Sequence, residues 1–290
     1  MVLQLRHDLS EIYIPDGLPE AEALARTTHL AIGAHQDDLE IMAVDGILKC
    51  YQQNGKWFTG VVVTNGSGSP RTGIYENYTG EEMVSVRIRE QKKAAMLGEY
   101  AAQVFMMYPS SAVKDASNQD IVNDITDLLR AARPKIVYTH NLADKHNTHV
   151  GVVIKVIEAI RKLPFHQHPQ KLYGCEIWRD LGWMIDDAKV TFDCSFQQNL
   201  QAALLGVFDS QISGGKRYDL ATMSRRLANA TYFDPYNVDE KTGITVAMDL
   251  TPLISNPEMD IQAYVQTYID DFSNDIKRRI AEMSKITSSN

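Results

Sequence analysis

Hydrophobic positions along the chain fall into two alternating patterns. Short unbroken apolar runs, HLAIGA (29–34), FTGVVVT (58–64), QVFMMY (103–108) and KIVYTH (135–140), read as strands. Val61-Val62-Val63 shows no polar alternation, which fits burial on both faces of a sheet. Between these runs, apolar residues recur at helical spacing. Ile41, Val44, Leu48 and Tyr51 share one face of a helix predicted over 39–53. A second helix, 81–98, ends at Gly98, a residue type that commonly follows the last helical turn. A third, 118–132, turns Ile121, Ile125 and Leu128 or Leu129 inward and is stopped by Arg133-Pro134. A fourth covers 150–163. Four successive strand-then-helix units predict an α/β protein, with a mostly parallel sheet and helices on both faces.

Beyond about residue 170 the pattern loosens. Strands are predicted at 171–178 and 189–195, and helices at 196–208 and 217–229. The segment 259–284 carries Ile261, Val265, Tyr268, Ile269, Phe272, Ile276, Ile280 and Met283 at amphipathic spacing. It reads as a long C-terminal helix whose apolar face needs the body of the protein or another subunit, so homo-oligomerisation through it is an expectation. The stretch 233–241 is the best linker candidate, but too little follows it for a second domain. A single domain over 1–290 is expected, with an N-terminal extension 1–27 and the helical segment 259–284 at its end.

Composition narrows the partners. Hydrophobic residues make up 44% and charged residues 23%, as in ordinary globular proteins, with a net charge of −8. That charge argues against nucleic-acid binding, which needs a basic stripe, and leaves small molecules as the expected partners. Cys50, Cys175 and Cys194 are far apart and form no CxxC, so they read as buried thiols in a reducing compartment. No signal-peptide core is visible in MVLQLRHDLSEIYIPDG, and no run is long enough to span a membrane. The expected location is the cytoplasm.

Sites in open parallel sheets form beyond the carboxyl ends of the strands. Three polar clusters fall there: His35-Gln36-Asp37-Asp38, the loop 64–80, and THNLADKHNTH (139–149) with His140, Asp144, His146 and His149. A catalytic zinc typically takes three nitrogen and oxygen ligands and keeps a position for water. His35 and Asp38 lie three apart across a strand-to-helix bend, and His149 would complete a His2Asp set. Asp37 and His146 remain beside it, and hydrolysis needs such groups, a base for the water and a donor for the oxyanion. Each cluster alone also fits a blander role, such as carboxylates favouring a helix N-terminus. Two clusters at two strand ends favour a site for a divalent metal, zinc or another first-row ion.

AHQDD resembles the A-H-P-D-D signature of the LmbE-like/PIG-L family of zinc-dependent de-N-acetylases (GlcNAc-PI de-N-acetylase-like), and HNTH (146–149) resembles its H-P-D-H. TNGSG (64–68) is similar to the family's T-x-G-x-G loop. Arg87, Glu90, Ala94, Leu97 and Gly98 match its R-x-x-E-x-x-x-A-x-x-x-L-G helix, and Ser210-Gln211 resembles a further S-Q mark. The resemblance covers roughly residues 29–165 and implies a Rossmann-like fold. It implies His35, Asp38 and His149 as zinc ligands, Asp37 as general base and then acid, and His146 as the group that polarises the amide carbonyl. It also implies Arg87 as a substrate anchor. The implied reaction removes an N-acetyl group from an amino sugar or its conjugate.

This sequence departs from the family at Gln36, where proline is usual, and at Asn147-Thr148, which replaces Pro-Asp. Asp144 is a candidate partner for His146 and a member of the substrate-binding set. The long loop 64–80 carries Arg71, Tyr75, Asn77 and Tyr78, which suit a sugar, and Trp178-Arg179-Asp180 offers core packing or a further wall. Two alternatives use the same fold: an amidase acting on a thiol-sugar conjugate, and a catalytically silent carbohydrate-binding protein. A nucleotide-binding protein would need G-x-G-x-x-G after the first strand, which AIGAHQDD does not supply.

Overall fold

The computed structural model describes residues 3–287. Its sheet has eight strands: β1 (Glu11–Tyr13), β2 (His29–Gly33), β3 (Phe58–Thr64), β4 (Ala102–Tyr108), β5 (Ile136–His140), β6 (Lys171–Cys175), β7 (Val190–Asp193) and β8 (Ile244–Asp249). They lie in the order β1-β4-β3-β2-β5-β6-β8-β7. The inner five, β4 to β6, are parallel, while β1 runs antiparallel to β4 and β8 antiparallel to both β6 and β7. This is the mostly parallel α/β sheet that the periodicity predicts.

The apolar runs are buried on both sides for the reason their sequence suggests. Successive side chains of a strand point to opposite faces. Val61 and Val63 therefore join Ile121, Ile125, Leu128 and Val153 on one face, while Val62 joins Leu39, Ile47 and Phe208 on the other.

The order reverses between β2 and β5. From β2 the chain moves outward through β3 and β4, then returns to the other side of β2 as β5 and β6. The carboxyl ends of β2 and β5 thus lie side by side with their following loops diverging, which opens a crevice at the switch point.

Several expected elements are redrawn. The helix predicted over 39–53 is two helices, Asp38–Met42 and Val44–Cys50, broken at Ala43. The break frees carbonyls that a continuous helix would use, and the buried Arg226 guanidinium donates to two of them, Glu40 O at 2.8 Å and Ile41 O at 3.3 Å. A donor more than 180 residues away decides this interruption.

Gly98 does cap the helix Gly80–Leu97, but with φ −83 it needs no left-handed freedom. Glu99 takes the positive φ, and a Cβ on Gly98 would lie 2.3 Å from the Tyr100 ring. Close approach is the requirement at this position. β6 stops at Cys175, so 176–178 lies beyond the strand end. β8, unforeseen, follows the stretch 233–241 and slots between β6 and β7.

The long helix is present over Ile261–Thr287. Ile261, Tyr264 and Tyr268 pack on the body, and Phe272 meets Trp183 edge-on at 6.2 Å. Ile269, Ile276, Ile280 and Met283 are exposed. Cys50, Cys175 and Cys194 are buried free thiols. No helix among the described residues is long and apolar enough to cross a membrane.

Candidate metal centre

The turn after β2 folds back on itself. Asp37 adopts a left-handed conformation, φ 88, at the N-terminus of the helix Asp38–Met42. Asp tolerates this region better than most residues. Its backbone N–H is held by Gln91 Oε1 at 3.2 Å, and the His35 N–H donates to Asp38 Oδ2 at 2.7 Å. The turn therefore brings the side chains of His35 and Asp38 together. From the other side of the crevice comes the helix Asn147–Arg161, with His146 at its N-cap and His149 in its first turn.

Three donor atoms converge. His35 Nδ1 and Asp38 Oδ2 are 3.4 Å apart, His149 Nε2 and Asp38 Oδ2 3.5 Å, and the two histidine nitrogens 3.3 Å. Two ligands about 2.05 Å from a tetrahedral ion lie about 3.3 Å from each other. The triangle thus has the edge length of a tetrahedral first-row site.

Protonation agrees. Burial pushes the His149 imidazole down to about 4, so it is neutral at ordinary pH. Its Nδ1 faces Asp144 Oδ2 at 3.4 Å, which places the ring proton there and leaves the Nε2 lone pair free. Burial alone would raise Asp38, but His149 and His140 overcome it and hold the carboxyl well below the usual range. The residues present fit a divalent metal: two imidazole nitrogens and a carboxylate oxygen converge as donors, with the carboxylate in the form that binds a cation.

His140 backs this set. It is fully buried, its Nε2 accepts from the Ala34 N–H at 2.8 Å, and its ring stacks on that of His149 at 3.8 Å.

Asp37 and His146 line the same cleft of about 390 Å³, with Gly66, Gly68, Arg87, Trp178 and Gln211 among the other walls. Burial raises the Asp37 carboxyl to about 7, against the pull of the Arg87 guanidinium at 3.6 Å. Burial lowers His146, and His35 nearby lowers it further. His146 Nδ1 is buried without a hydrogen-bond partner among the described residues.

The remaining candidates divide. Asp144 is buried and accepts from the backbone N–H groups of His146 and Trp178. It therefore fixes the loop and the His149 ring, while the His146 ring itself is left to the cleft. Arg87, buried, lines the cleft and donates to Gln36. Arg71 spends its guanidinium on the carbonyls of Ser67 and Tyr78, and Tyr75 donates to Asp209 at 2.6 Å. Arg71 holds the loop 64–80 together, Tyr75 ties it to the helix Asp209–Ile212, and neither is a wall of the cleft. Glu40 is buried, with Oε1 accepting from Gln91 and Tyr100.

Trp178 is no ordinary core residue. It is half-buried, with its ring plane 27° from that of His146 at 6.2 Å, and edge-on to Tyr218 at 6.1 Å. Lys114, Lys216 and Tyr218 also line the cleft and carry no sequence signal. The Ser210-Gln211 pair did carry one. The Ser210 N–H and hydroxyl both donate to buried Glu90 at 2.7 Å, which latches Gln211 over the cleft.

The fold is similar to that of GalB, the 4-carboxy-2-hydroxymuconate hydratase from Pseudomonas putida, at 17% identity and TM-score 0.60, covering 77% of this chain and 95% of that one. It is also similar to N,N'-diacetylchitobiose deacetylase from Pyrococcus horikoshii, at 17% identity and TM-score 0.56, covering 77% and 84%. A conserved protein of Thermus thermophilus matches at 17% identity and TM-score 0.57, covering 80% and 98%. Residues 30–160, which supply all three donor atoms together with Asp37 and His146, match the model of the PIG-L family, described as GlcNAc-PI de-N-acetylase.

Proposed function

We propose that the protein is a metal-dependent hydrolase that removes the N-acetyl group from an amino sugar or its conjugate. Fold alone does not select this reaction, because a hydratase and a deacetylase share it. The observation that carries the reading is the donor triangle of His35, Asp38 and His149 with Asp37 and His146 in one cleft. The family described by its de-N-acetylase supports it.

A divalent ion such as zinc, held by that triangle, would supply Lewis acidity and make a water easier to deprotonate. Asp37 then takes the proton from the attacking water. Its carboxyl, poised at about 7, exchanges a proton readily near neutrality. The same carboxyl returns the proton to the departing amine. His146, across the cleft, donates an N–H to the oxyanion of the tetrahedral intermediate. Arg87 is buried beside Asp37 and holds it in place while lining the cleft.

The test is release of free amine from a panel of N-acetylated sugars by metal-loaded protein. Asp37→Asn lowers the rate by about 10²- to 10⁴-fold, and a chelator abolishes it. Full activity in the variant refutes the base. Metal-loaded protein that binds these sugars and releases no amine would instead be a silent binding protein.

A further inference from the structure

The reaction cleft has an annex. A second cavity of about 360 Å³ adjoins it, and Ile41, Ile177, Trp178, Lys216 and Tyr218 line both. Its far wall is formed by the helix Tyr218–Thr231, at Ala221 and Thr222.

The charged groups of this annex are already engaged by the protein. Glu176 accepts from the N–H groups of Leu181 and Val246 and from Asn229. Arg225 donates to the Ile177 carbonyl, and Arg226 to Gln201 and the carbonyls at the helix break. Arg217 pairs with Asp219 at 2.7 Å. Lys216 stands at the seam, its ammonium 4.9 Å from the Trp178 ring centroid. What the annex offers a ligand is therefore chiefly the apolar surface of Ile41, Ile177, Trp178 and Tyr218. An acetyl group is too small to need this space. An apolar cavity of about 150 Å³ already admits benzene.

We infer that the substrate carries an apolar group, aromatic or a chain of several carbons, which enters this annex while the amide lies at the metal centre. This rests on the reading of the centre as a metal-dependent hydrolase of an N-acylated amino sugar and deepens it, and a gain with the longer acyl chain would replace acetyl as the group removed. The group is joined to the amino sugar either as an aglycone or as an acyl chain longer than acetyl. Both offer the same chemistry to the same walls.

The test uses metal-loaded Asp37→Asn protein, which prevents turnover, and calorimetric titration with three compounds. These are N-acetylglucosamine, its phenyl β-glycoside, and N-hexanoylglucosamine. Burying such a group against apolar walls is expected to tighten binding at least tenfold for one of the two apolar compounds. Which one gains tells the aglycone from the acyl chain. Ala221→Trp, at an exposed position on the annex wall, is expected to bring the ratio of dissociation constants close to one.

Equal binding of all three compounds, or no binding of either apolar one, overturns the inference. So does a preference that Ala221→Trp leaves unchanged. The first two comparisons need no annex variant, so poor folding of Ala221→Trp leaves the question decidable. Amine release by the unmutated protein is measured alongside. Preferential binding without release refutes the deacetylase reading and leaves the apolar subsite standing.

Discussion

Gln36 occupies the position where the family pattern has proline, and the structure gives it a task that proline cannot perform. It is fully buried, its Oε1 accepts from Arg87 Nε at 3.3 Å, and its Nε2 donates to the Thr64 carbonyl at 3.3 Å. Its backbone carbonyl takes a further bond from Arg87 Nη2. Gly66 makes room for it, since a Cβ there would lie 2.5 Å from Gln36 Oε1. Gln36→Ala removes both side-chain bonds. Arg87 Nη1 already lacks a partner, so the loss would leave a second buried guanidinium N–H unsatisfied. A hydrogen bond to a charged group contributes about 1.5–3 kcal/mol and a neutral one about 0.5–1.5 kcal/mol. Both bonds here are long, which favours the lower ends, so the expected loss is about 2–3 kcal/mol. For a chain of this size that lowers the melting temperature by roughly 3–5 °C. Because Arg87 also lines the cleft beside Asp37, kcat/KM falls with stability. Urea denaturation and amine release, measured on the same preparation, check both. Stability within about 0.5 kcal/mol of the original together with unchanged kcat/KM would refute this account of Gln36, since surface-like behaviour is what an idle side chain shows.

Two further predictions concern protons. Arg87→Met removes the cation nearest the Asp37 carboxyl, which burial already holds at about 7, so that pKa rises. The base acts only when ionised, so the acid limb of the kcat/KM profile moves to higher pH, by about one unit; an unmoved limb, or one moved downward, counts against Asp37 as the base. Burial raises Glu40 from 4.5 to about 8, so between those values the folded chain keeps a proton that the unfolded chain releases. Stability present below 4.5 is therefore lost as pH rises towards about 8. Glu40→Gln keeps an Oε1 for Gln91 and Tyr100 but cannot titrate. Between about pH 5 and 8 the original protein should lose on the order of 3 kcal/mol more than the variant, and parallel stability curves would sink the argument.

The sequence determined the four strand-then-helix units of residues 29–163, apart from the break at Ala43 and the short helix Ser110–Lys114, because local periodicity reports which faces each segment must bury. It also determined the donor types at the ends of β2 and β5, because the chemistry of histidine and aspartate does not depend on where they lie. Tertiary structure decided the rest. Whether Ala43 breaks a helix depended on Arg226, and whether Arg71 and Tyr75 face a ligand depended on Ser67, Tyr78 and Asp209. The place of β8 depended on two strands that flank it in space but not in the chain. The apolar annex arises where the segment after β6 meets the helix Tyr218–Thr231, neither of which carries a motif. Contacts between distant segments leave no periodicity in either partner, so the converging donor atoms could be named from the chain while the walls around them could not.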